Sequence, residues 1–255
     1  MIAVNLSISD VLASLALVAV AAAASSWRGA DLEAEIGIAV ARSFVQLSAV
    51  GLVIKLIFDA DRLFFVFGLL AIMVGLGALT ANSRAKKVPG TLVPLLIGLS
   101  LAATTTLGLV LLLGIFEPEA RYIVPVGGMV IGNAMTGSAV ALNRLGDEVS
   151  EGVDRIEAAL SLGATSAQAA LPLVRRSLRS GMIALVDSTK TTGLIAFPGT
   201  MVGMLLAGAE PVDAVRLQLI LLYTLLGSVS IAALVSTTLA YRNFFTDDHQ
   251  LRELG

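Results

Sequence analysis

The sequence predicts an all-α, polytopic membrane protein with about seven transmembrane helices. Hydrophobic residues make up 56% of its 255 residues and charged residues only 14%, whereas soluble proteins average about 25% charged residues. The mean hydropathy is +0.90. The apolar residues also form long uninterrupted runs. Because lipid admits only helices or closed barrels, and barrel strands alternate between polar and apolar residues, such runs favour helices.

The number of crossings follows from the length of these runs. A helix needs about 20 apolar residues to cross the hydrocarbon core. Seven runs qualify, at residues 8–27, 36–58, 63–81, 91–116, 122–142, 182–209 and 215–241. The first run lacks a preceding basic region and a clear cleavage site, so it is interpreted as a retained span and not as a signal peptide. No domain boundary or repeat is visible, which predicts a single transmembrane domain over residues 1–255.

Lysine and arginine are concentrated in two of the connecting loops. Arg84, Lys86 and Lys87 follow the third run, and five arginines lie between the fifth and sixth runs. Loops rich in these residues remain in the cytoplasm. With seven crossings, the chain is expected to lie in the inner (plasma) membrane with its amino terminus outside and its carboxyl terminus in the cytoplasm.

The composition also excludes several classes of function. The chain has no cysteine and a single histidine, His249, so it forms no disulfide and offers no thiolate cluster to a soft metal. A net charge of −2 gives no general attraction to nucleic acid. The predicted spans hold no histidine, cysteine or paired carboxylates, which disfavours an enzyme. The sequence also lacks the Gly-x-x-x-x-Gly-Lys-Ser/Thr pattern of a P-loop.

A charged loop, residues 144–180, separates the fifth and sixth runs. Over residues 147–162 apolar side chains recur every three or four positions, which predicts an amphipathic helix. This helix is expected to end at Gly163, and a second helix to begin near Thr165 as its N-cap. The two helices form either an ordinary solvated linker or a projection that enters a groove on a partner protein.

The same loop contains a Glu-Ala-Ala-x-x-x-Gly element. It resembles the loop through which ABC transporter permeases receive force from a separate ATPase. The candidate coupling residues are Glu157, Ala158, Ala159, Gly163, Ala164 and Thr165. The resemblance implies an ATP-binding cassette ATPase as partner, with ATP and magnesium bound on that subunit and no cofactor on this chain.

Three longer blocks in the carboxy-terminal half carry a more specific resemblance. They are Gly128 to Met135, Glu157 to Ala164, and Asp187 to Ile195 continuing into Phe197 to Met201; Arg42 to Leu47 adds a shorter match. These blocks resemble the FetB-type ABC permeases, a family associated with bacterial iron export that has a plant aluminium-tolerance branch. The resemblance implies export of a metal ion or a metal-linked solute. The Leu171-Pro172 pair lies closer to Gly163 than the corresponding pair does in the loops of importer-type ABC permeases. This departure leaves the transport direction open.

Ionisable side chains inside the predicted spans mark a second candidate region. A charge at the centre of a span costs about 2.5 to 3.5 kcal/mol on insertion scales. Arg42 and Asp187 fall at similar depths, about 8 to 9 Å from the cytoplasmic edge, where they can meet. Lys190 follows Asp187 by three residues on the same helical face. The three form either a structural ion-pair group or a gate.

Neutral polar groups and a helix breaker complete the candidate pathway. Phe197-Pro198-Gly199 falls near the middle of the sixth run, where proline removes a helical hydrogen bond, and broken helices are common at substrate sites of transporters. The full candidate set for a substrate pathway or gate is Arg42, Gln46, Asn133, Asp187, Lys190, Pro198 and Gly199. No metal ligands can be assigned, since methionine more often fills apolar gaps.

These observations lead to one interpretation and two alternatives. The leading interpretation is the membrane-spanning subunit of an ABC transporter, acting as a homodimer in the lipid bilayer and exporting iron or another metal ion with energy from a separate ATPase. One alternative is a stand-alone ion-coupled secondary transporter. The other is an ABC permease for an organic solute such as a nucleotide sugar. Composition and spacing do not identify the cargo.

Overall fold

A computed structural model describes residues 7–60 and 62–252 of the chain, and all regular secondary structure in these residues is helical. The all-α prediction is therefore confirmed. The helices are α1 (Ile8–Arg28), α2 (Glu33–Ala60), α3 (Leu63–Arg84), α4 (Leu92–Leu112), α5 (Ala120–Glu151), α6 (Val153–Ser161), α7 (Ser166–Thr191), α8 (Gly199–Leu206) and α9 (Pro211–Ala240), followed by a 3₁₀ helix at Tyr241–Phe244. Residues 1–6, 61 and 253–255, which belong to the predicted single domain, lie outside the described residues.

Six of these helices are long and apolar enough to cross a membrane. They are α1, α2, α3, α4, α5 and α9, and they correspond to six of the seven predicted runs. The protein is therefore a multi-pass membrane protein. Helix α5 continues beyond the predicted span to Glu151, so the amphipathic helix predicted over residues 147–162 is not one helix: its first residues belong to α5 and the rest to α6. Helix α5 ends before Gly152, where a Cβ would lie only 2.7 Å from the carbonyl oxygen of Glu148.

The apolar run over residues 182–209 does not form one continuous helix, and its interruption ends at the predicted helix breaker Phe197-Pro198-Gly199. Helix α7 stops at Thr191, a turn follows, and α8 occupies only Gly199–Leu206. In the turn, Gly193 has a left-handed φ of +84° and its amide donates to the carbonyl oxygen of Ala196 at 2.9 Å. Pro198 caps α8 and lacks the amide hydrogen that a continuing helix needs. The sixth apolar run therefore contains two separate helical segments.

Helix α5 lies at the centre of a bundle in which it packs against α3, α4, α7 and α9. The largest fully buried side chains of the transmembrane part come from these helices: Val66, Leu95, Leu99, Val130, Leu142, Leu145, Val149 and Val229. Helices α1 and α2 pack on each other at the edge of this bundle. In the most apolar 18-residue stretch of α2 no residue is buried, against 56% in α5.

Three connecting segments meet at one end of the bundle, which we call the α6 end. The loop between α3 and α4 is joined to α5 by an ion pair between Lys87 and Asp147. The same loop is held to the carboxy-terminal segment, because Asn243 donates to the carbonyl oxygen of Pro89 at 2.8 Å. That segment reaches the start of α7, where Ser166 Oγ lies 3.0 Å from His249 Nδ1. The predicted cytoplasmic segments therefore share one end.

Candidate functional site

Helix α6 projects at the α6 end and is fixed by its inner face. Ile156 is 3% exposed and belongs to the main core, against which Ala159 and Leu160 also pack. Glu157 and Ala158 are exposed on the outer face. Leu162, at the tip, is 89% exposed. The projection thus combines a rigid base with a free apolar tip.

The turn after α6 is closed by local hydrogen bonds. Gly163 has a φ of +89°, its amide donates to Leu160, and the amide of Ala164 donates to Ala159 at 3.0 Å. This is the Schellman arrangement, in which a left-handed glycine ends a helix. The helix end predicted at Gly163 is confirmed.

The predicted start of the next helix is also confirmed. The Thr165 side chain accepts from the amide of Gln168, while Gln168 Oε1 accepts from the Thr165 amide at 2.9 Å. This reciprocal capping box satisfies backbone donors that a helix start leaves free. Gly163, Ala164 and Thr165 therefore shape the turn, Ala159 and Ala164 are half-buried, and Glu157 and Ala158 remain exposed.

A buried carboxylate joins α5 to α7 behind the projection. Glu148 is only 7% exposed, and its two oxygens accept from Arg144 at 2.5 Å and from Arg176 at 2.6 Å. We call these three side chains the Glu148 ion-pair group. It borders a cavity of about 250 Å³ between α5, α6 and α7. A buried charge is tolerated only when paired, so the group fixes these helices to one another.

Farther along, α5 and α7 cross with their backbones in direct contact. A Cβ on Gly181 would lie 2.5 Å from the carbonyl oxygen of Gly137 and 2.8 Å from Ala141 Cβ. A Cβ on Gly137 would lie 2.5 Å from Val229 on α9. Small residues let membrane helices approach this closely. Gly137 and Gly181 therefore form a crossing point between the α6 end and the helix break.

Beyond this crossing the predicted pathway residues are exposed. Asp187 and Lys190 form an ion pair at 3.1 Å with side-chain exposures of 58% and 67%. Arg42 on α2 is also exposed and makes no ion pair or hydrogen bond through its side chain within residues 7–60 and 62–252. Lys190 is thus the ion-pair partner of Asp187 within one chain. The expected meeting of Arg42 with Asp187 is absent from the described residues.

The neutral candidates also lie on the surface of the single chain. Asn133 is exposed and donates to the carbonyl oxygen of Met129 in its own helix at 2.9 Å, which leaves its amide oxygen available. Gln46 is exposed on α2, and Gly199 is exposed at the start of α8 after the half-buried Pro198. Polar groups on α2, α5 and α7 therefore face outward in one copy of the chain.

Several residues of the site escaped the sequence analysis. Glu148 was not among the candidate residues, yet it falls on one helical face with Ala141 and Leu145, which are fully buried; that three- and four-residue spacing was the available signal. The exposed Leu162 and the crossing of Gly137 with Gly181 carried no comparable signal. Both depend on which side of each helix the tertiary packing covers.

Comparisons with known proteins agree with this architecture. The model of a family described as "Uncharacterised protein family (UPF0014)" matches residues 8–245. Protein ALUMINUM SENSITIVE 3 of Arabidopsis thaliana is 38% identical over 243 residues, covering 94% of this chain and 88% of that protein. The UPF0014 membrane protein YjkA of Bacillus subtilis is 36% identical over 224 residues, covering 88% and 90%.

A third relative belongs to the FetB-type permeases that the three sequence blocks resemble. The probable iron export permease protein FetB of Escherichia coli is 34% identical over 247 residues, covering 97% of this chain and 95% of that protein. The resemblance to FetB-type permeases is therefore confirmed. No solved structure shows significant similarity. By its family match and its relatives, the chain belongs to the UPF0014 family of membrane proteins.

Proposed function

We propose that this chain is the membrane-spanning subunit of an ABC transporter and that a separate ATPase docks on the tip of α6. The cargo is iron or another metal ion and the direction is export, as the name of the Escherichia coli relative suggests. The subunit acts as a homodimer in the plasma membrane, which is the inner membrane in a Gram-negative cell, with the α6 end in the cytoplasm.

One observation carries this proposal: an exposed tip is rigidly connected to a helix break. The tip at Leu162 continues through a capped turn into α7, and the Glu148 ion-pair group joins α7 to α5. From Ser166 to Gly181, α7 covers about 22 Å, and from Gly181 to Thr191 about 15 Å more. A displacement of α6 is thereby transmitted along α7 to the Thr192–Pro198 turn.

The crossing of Gly137 with Gly181 supplies the pivot for this motion. Closely packed backbones resist translation but allow a helix to tilt about the contact. When the ATPase pair closes and pushes α6 inward, the far half of α7 and α8 would swing outward relative to α5. Reorientation of one helix unit against another is the general basis of alternating access. ATP and magnesium remain on the partner subunit in this scheme.

The homodimer is supported by the polar groups that one chain leaves uncovered. Arg42, Gln46, Asn133, Asp187 and Lys190 are exposed, and a charge facing lipid near the membrane centre is costly. A second copy across this polar face removes the groups from lipid and encloses a path between the two chains. The site is incomplete in a single copy.

The cargo site is the least constrained part of the proposal. Among the described residues, no group of three or more His, Cys, Asp or Glu side chains is placed to hold a metal ion. A cation would therefore pass the neutral oxygens of Asn133 and Gln46 and the carboxylate of Asp187, contributed by both copies. An organic solute, including a nucleotide sugar, fits the same polar face and remains the alternative cargo.

Reconstitution tests the proposal directly. The chain is incorporated into liposomes alone and together with a candidate Walker-type ATPase from the same genome, and flux of ferrous ion is measured with and without ATP. We expect flux only with the ATPase and ATP. ATP-independent flux by the chain alone would instead establish the alternative of an ion-coupled secondary carrier.

A variant of the turn tests the coupling role. Gly163→Trp forces a bulky residue into a left-handed conformation that disfavours side chains, and deletion of residues 158–163 removes the tip. Both changes should abolish ATP-driven flux while the protein still inserts in the membrane. Gly114→Trp is the matched control and should leave ATPase binding unchanged. Gly114 is also a left-handed glycine with open space around it, and it lies after α4 at the opposite end of the bundle.

A further inference from the structure

A second pocket lies at the α6 end, separate from the projection. It has a volume of about 650 Å³ and opens between the start of α4 and the end of α9. Its lining includes three charged and three apolar side chains: Arg242, Asp247, Arg252, Val93, Ile97 and Leu239. The apolar helix α4 begins at Leu92 and the candidate span that contains α9 runs to Phe244, so the pocket lies where both candidate spans end.

The charged wall offers unoccupied hydrogen-bond donors. The Arg242 side chain is exposed and has no protein partner in the described part of the chain. Arg252 donates through Nε to the carbonyl oxygen of Phe245 at 3.0 Å, which orients its guanidinium and leaves the two terminal nitrogens available. Asp247 forms no ion pair with either arginine within 4.0 Å. Two guanidinium groups and one carboxylate leave the lining with a net charge of +1.

The pocket is preformed. Asn243 donates to the carbonyl oxygens of Pro89 at 2.8 Å and Gly90 at 3.2 Å, which ties the loop before α4 to the end of α9. Phe244 and Phe245 are 1% and 4% exposed and anchor the segment that carries the arginines. The backbone segment that carries both arginines is therefore fixed without a ligand.

An apolar strip leads from the pocket into the membrane. Val93 is 62% exposed, and Ile97 and Leu101, each one helical turn farther along α4, are both 46% exposed. Residues four apart lie on the same helical face, so the three form a continuous surface that begins at the charged wall. This combination of a cationic pocket at the surface and an apolar track below it matches the two parts of a phospholipid.

We propose that this pocket binds an anionic phospholipid. Its phosphodiester is held by Arg242 and Arg252, since guanidinium groups match the geometry of phosphate oxygens, and one acyl chain lies along Val93, Ile97 and Leu101. Basic pockets between helices at the membrane surface bind anionic headgroups in this manner. The net charge of +1 favours a singly charged headgroup such as phosphatidylglycerol. The site requires no ATPase, so its failure leaves the proposed function untouched.

Native mass spectrometry of the purified full-length chain tests this site. Phosphatidylglycerol and phosphatidylcholine are titrated onto the wild type, R242Q and R242Q/R252Q. We expect the wild type to prefer phosphatidylglycerol, with at least tenfold weaker binding in the double variant. The single variant should fold as the wild type does, because the Arg242 side chain makes no ion pair or hydrogen bond in the described part of the chain. Lys86→Gln removes another exposed cation at the same end and should bind as the wild type does.

Equal binding of the two lipids would overturn the proposal, and so would unchanged phosphatidylglycerol binding in R242Q/R252Q. A competition separates a lipid site from a site for a free phosphate ester. We expect millimolar glycerol 3-phosphate to leave the lipid bound, and Ile97→Asn to weaken lipid binding severalfold. Efficient displacement by glycerol 3-phosphate would show that the acyl track contributes nothing and would refute a phospholipid as the ligand.

Discussion

Glu148 on α5 accepts a hydrogen bond from Arg176 on α7 over a distance of 2.6 Å, and this contact lies between the membrane bundle and the projecting α6. The carboxylate is almost completely buried, whereas the guanidinium is 43% exposed. Loss of the carboxylate charge therefore leaves the arginine able to reach water. In the proposed transporter, this contact would hold α5 and α7 together when the ATPase pushes on α6.

The first prediction concerns this carboxylate. Glu148→Gln keeps the size of the side chain and removes its charge, so we expect the free energy of unfolding to fall by about 1 to 2 kcal/mol and ATP-driven transport to fall more than ATPase binding. Thermal unfolding in detergent measures the first effect. Glu151→Gln, an exposed carboxylate without an ion pair among the described residues, is the control. Equal stability of the two variants would contradict the role assigned to Glu148.

The second prediction concerns the exposed tip. Leu162→Ser should weaken association with the ATPase about tenfold, because burial of a leucine side chain contributes roughly 1.5 to 3 kcal/mol and about 1.4 kcal/mol corresponds to a factor of ten. Stability should not change, since Leu162 is 89% exposed. Affinity can be measured by microscale thermophoresis with the purified ATPase. Leu112→Ser, at an 87% exposed position at the opposite end of the bundle, should keep wild-type affinity.

The third prediction concerns the crossing of α5 and α7. Gly181→Ala places a methyl group against the backbone of Gly137, so we expect a loss of about 1 to 3 kcal/mol in stability, typical of overpacking. Gly75→Ala adds the same methyl group on α3 where nothing lies within 4 Å, and it should be neutral or slightly stabilising. Unfolding in a denaturing detergent compares the two. A Gly181→Ala variant as stable as Gly75→Ala would show that the helices separate freely.

The fourth prediction uses the lack of cysteine in the chain, which makes any introduced thiol unique. Asn133→Cys and Asp187→Cys should react with a charged maleimide in the assembled transporter if, as proposed, two copies enclose a water-filled path between these residues. Leu76→Cys, at a 60% exposed position on α3, should stay unreactive in lipid. Labelling of all three at similar rates would argue against an enclosed path.

The same approach determines orientation. Leu162→Cys should react with a membrane-impermeant maleimide in inside-out vesicles and remain unlabelled in right-side-out vesicles. The expectation rests on the lysines and arginines concentrated near the α6 end, since such loops remain in the cytoplasm. Labelling from the outer side would reverse the orientation and exclude a cytoplasmic ATPase as the partner of α6.

The sequence was informative where structure depends on neighbouring residues. Six spans and the Gly163–Thr165 turn were predicted correctly, because a helix in lipid satisfies its hydrogen bonds locally and caps use residues three or four positions away. Hydropathy failed at residues 192–198, since Leu194 and Ile195 are as apolar in a turn as in a helix. The contact between Glu148 and Arg176 joins residues 28 positions apart, and only tertiary packing brings them together.

The sparse packing of α1 and α2 has a practical consequence for purification. These helices hold few buried residues, so their position depends on lipid and on whatever neighbour covers them. A harsh detergent that strips lipid should release this hairpin first and expose the short connection at residues 29–32 to proteases. Samples intended for imaging should therefore be kept in nanodiscs, where the intact hairpin can report whether the native assembly has survived extraction.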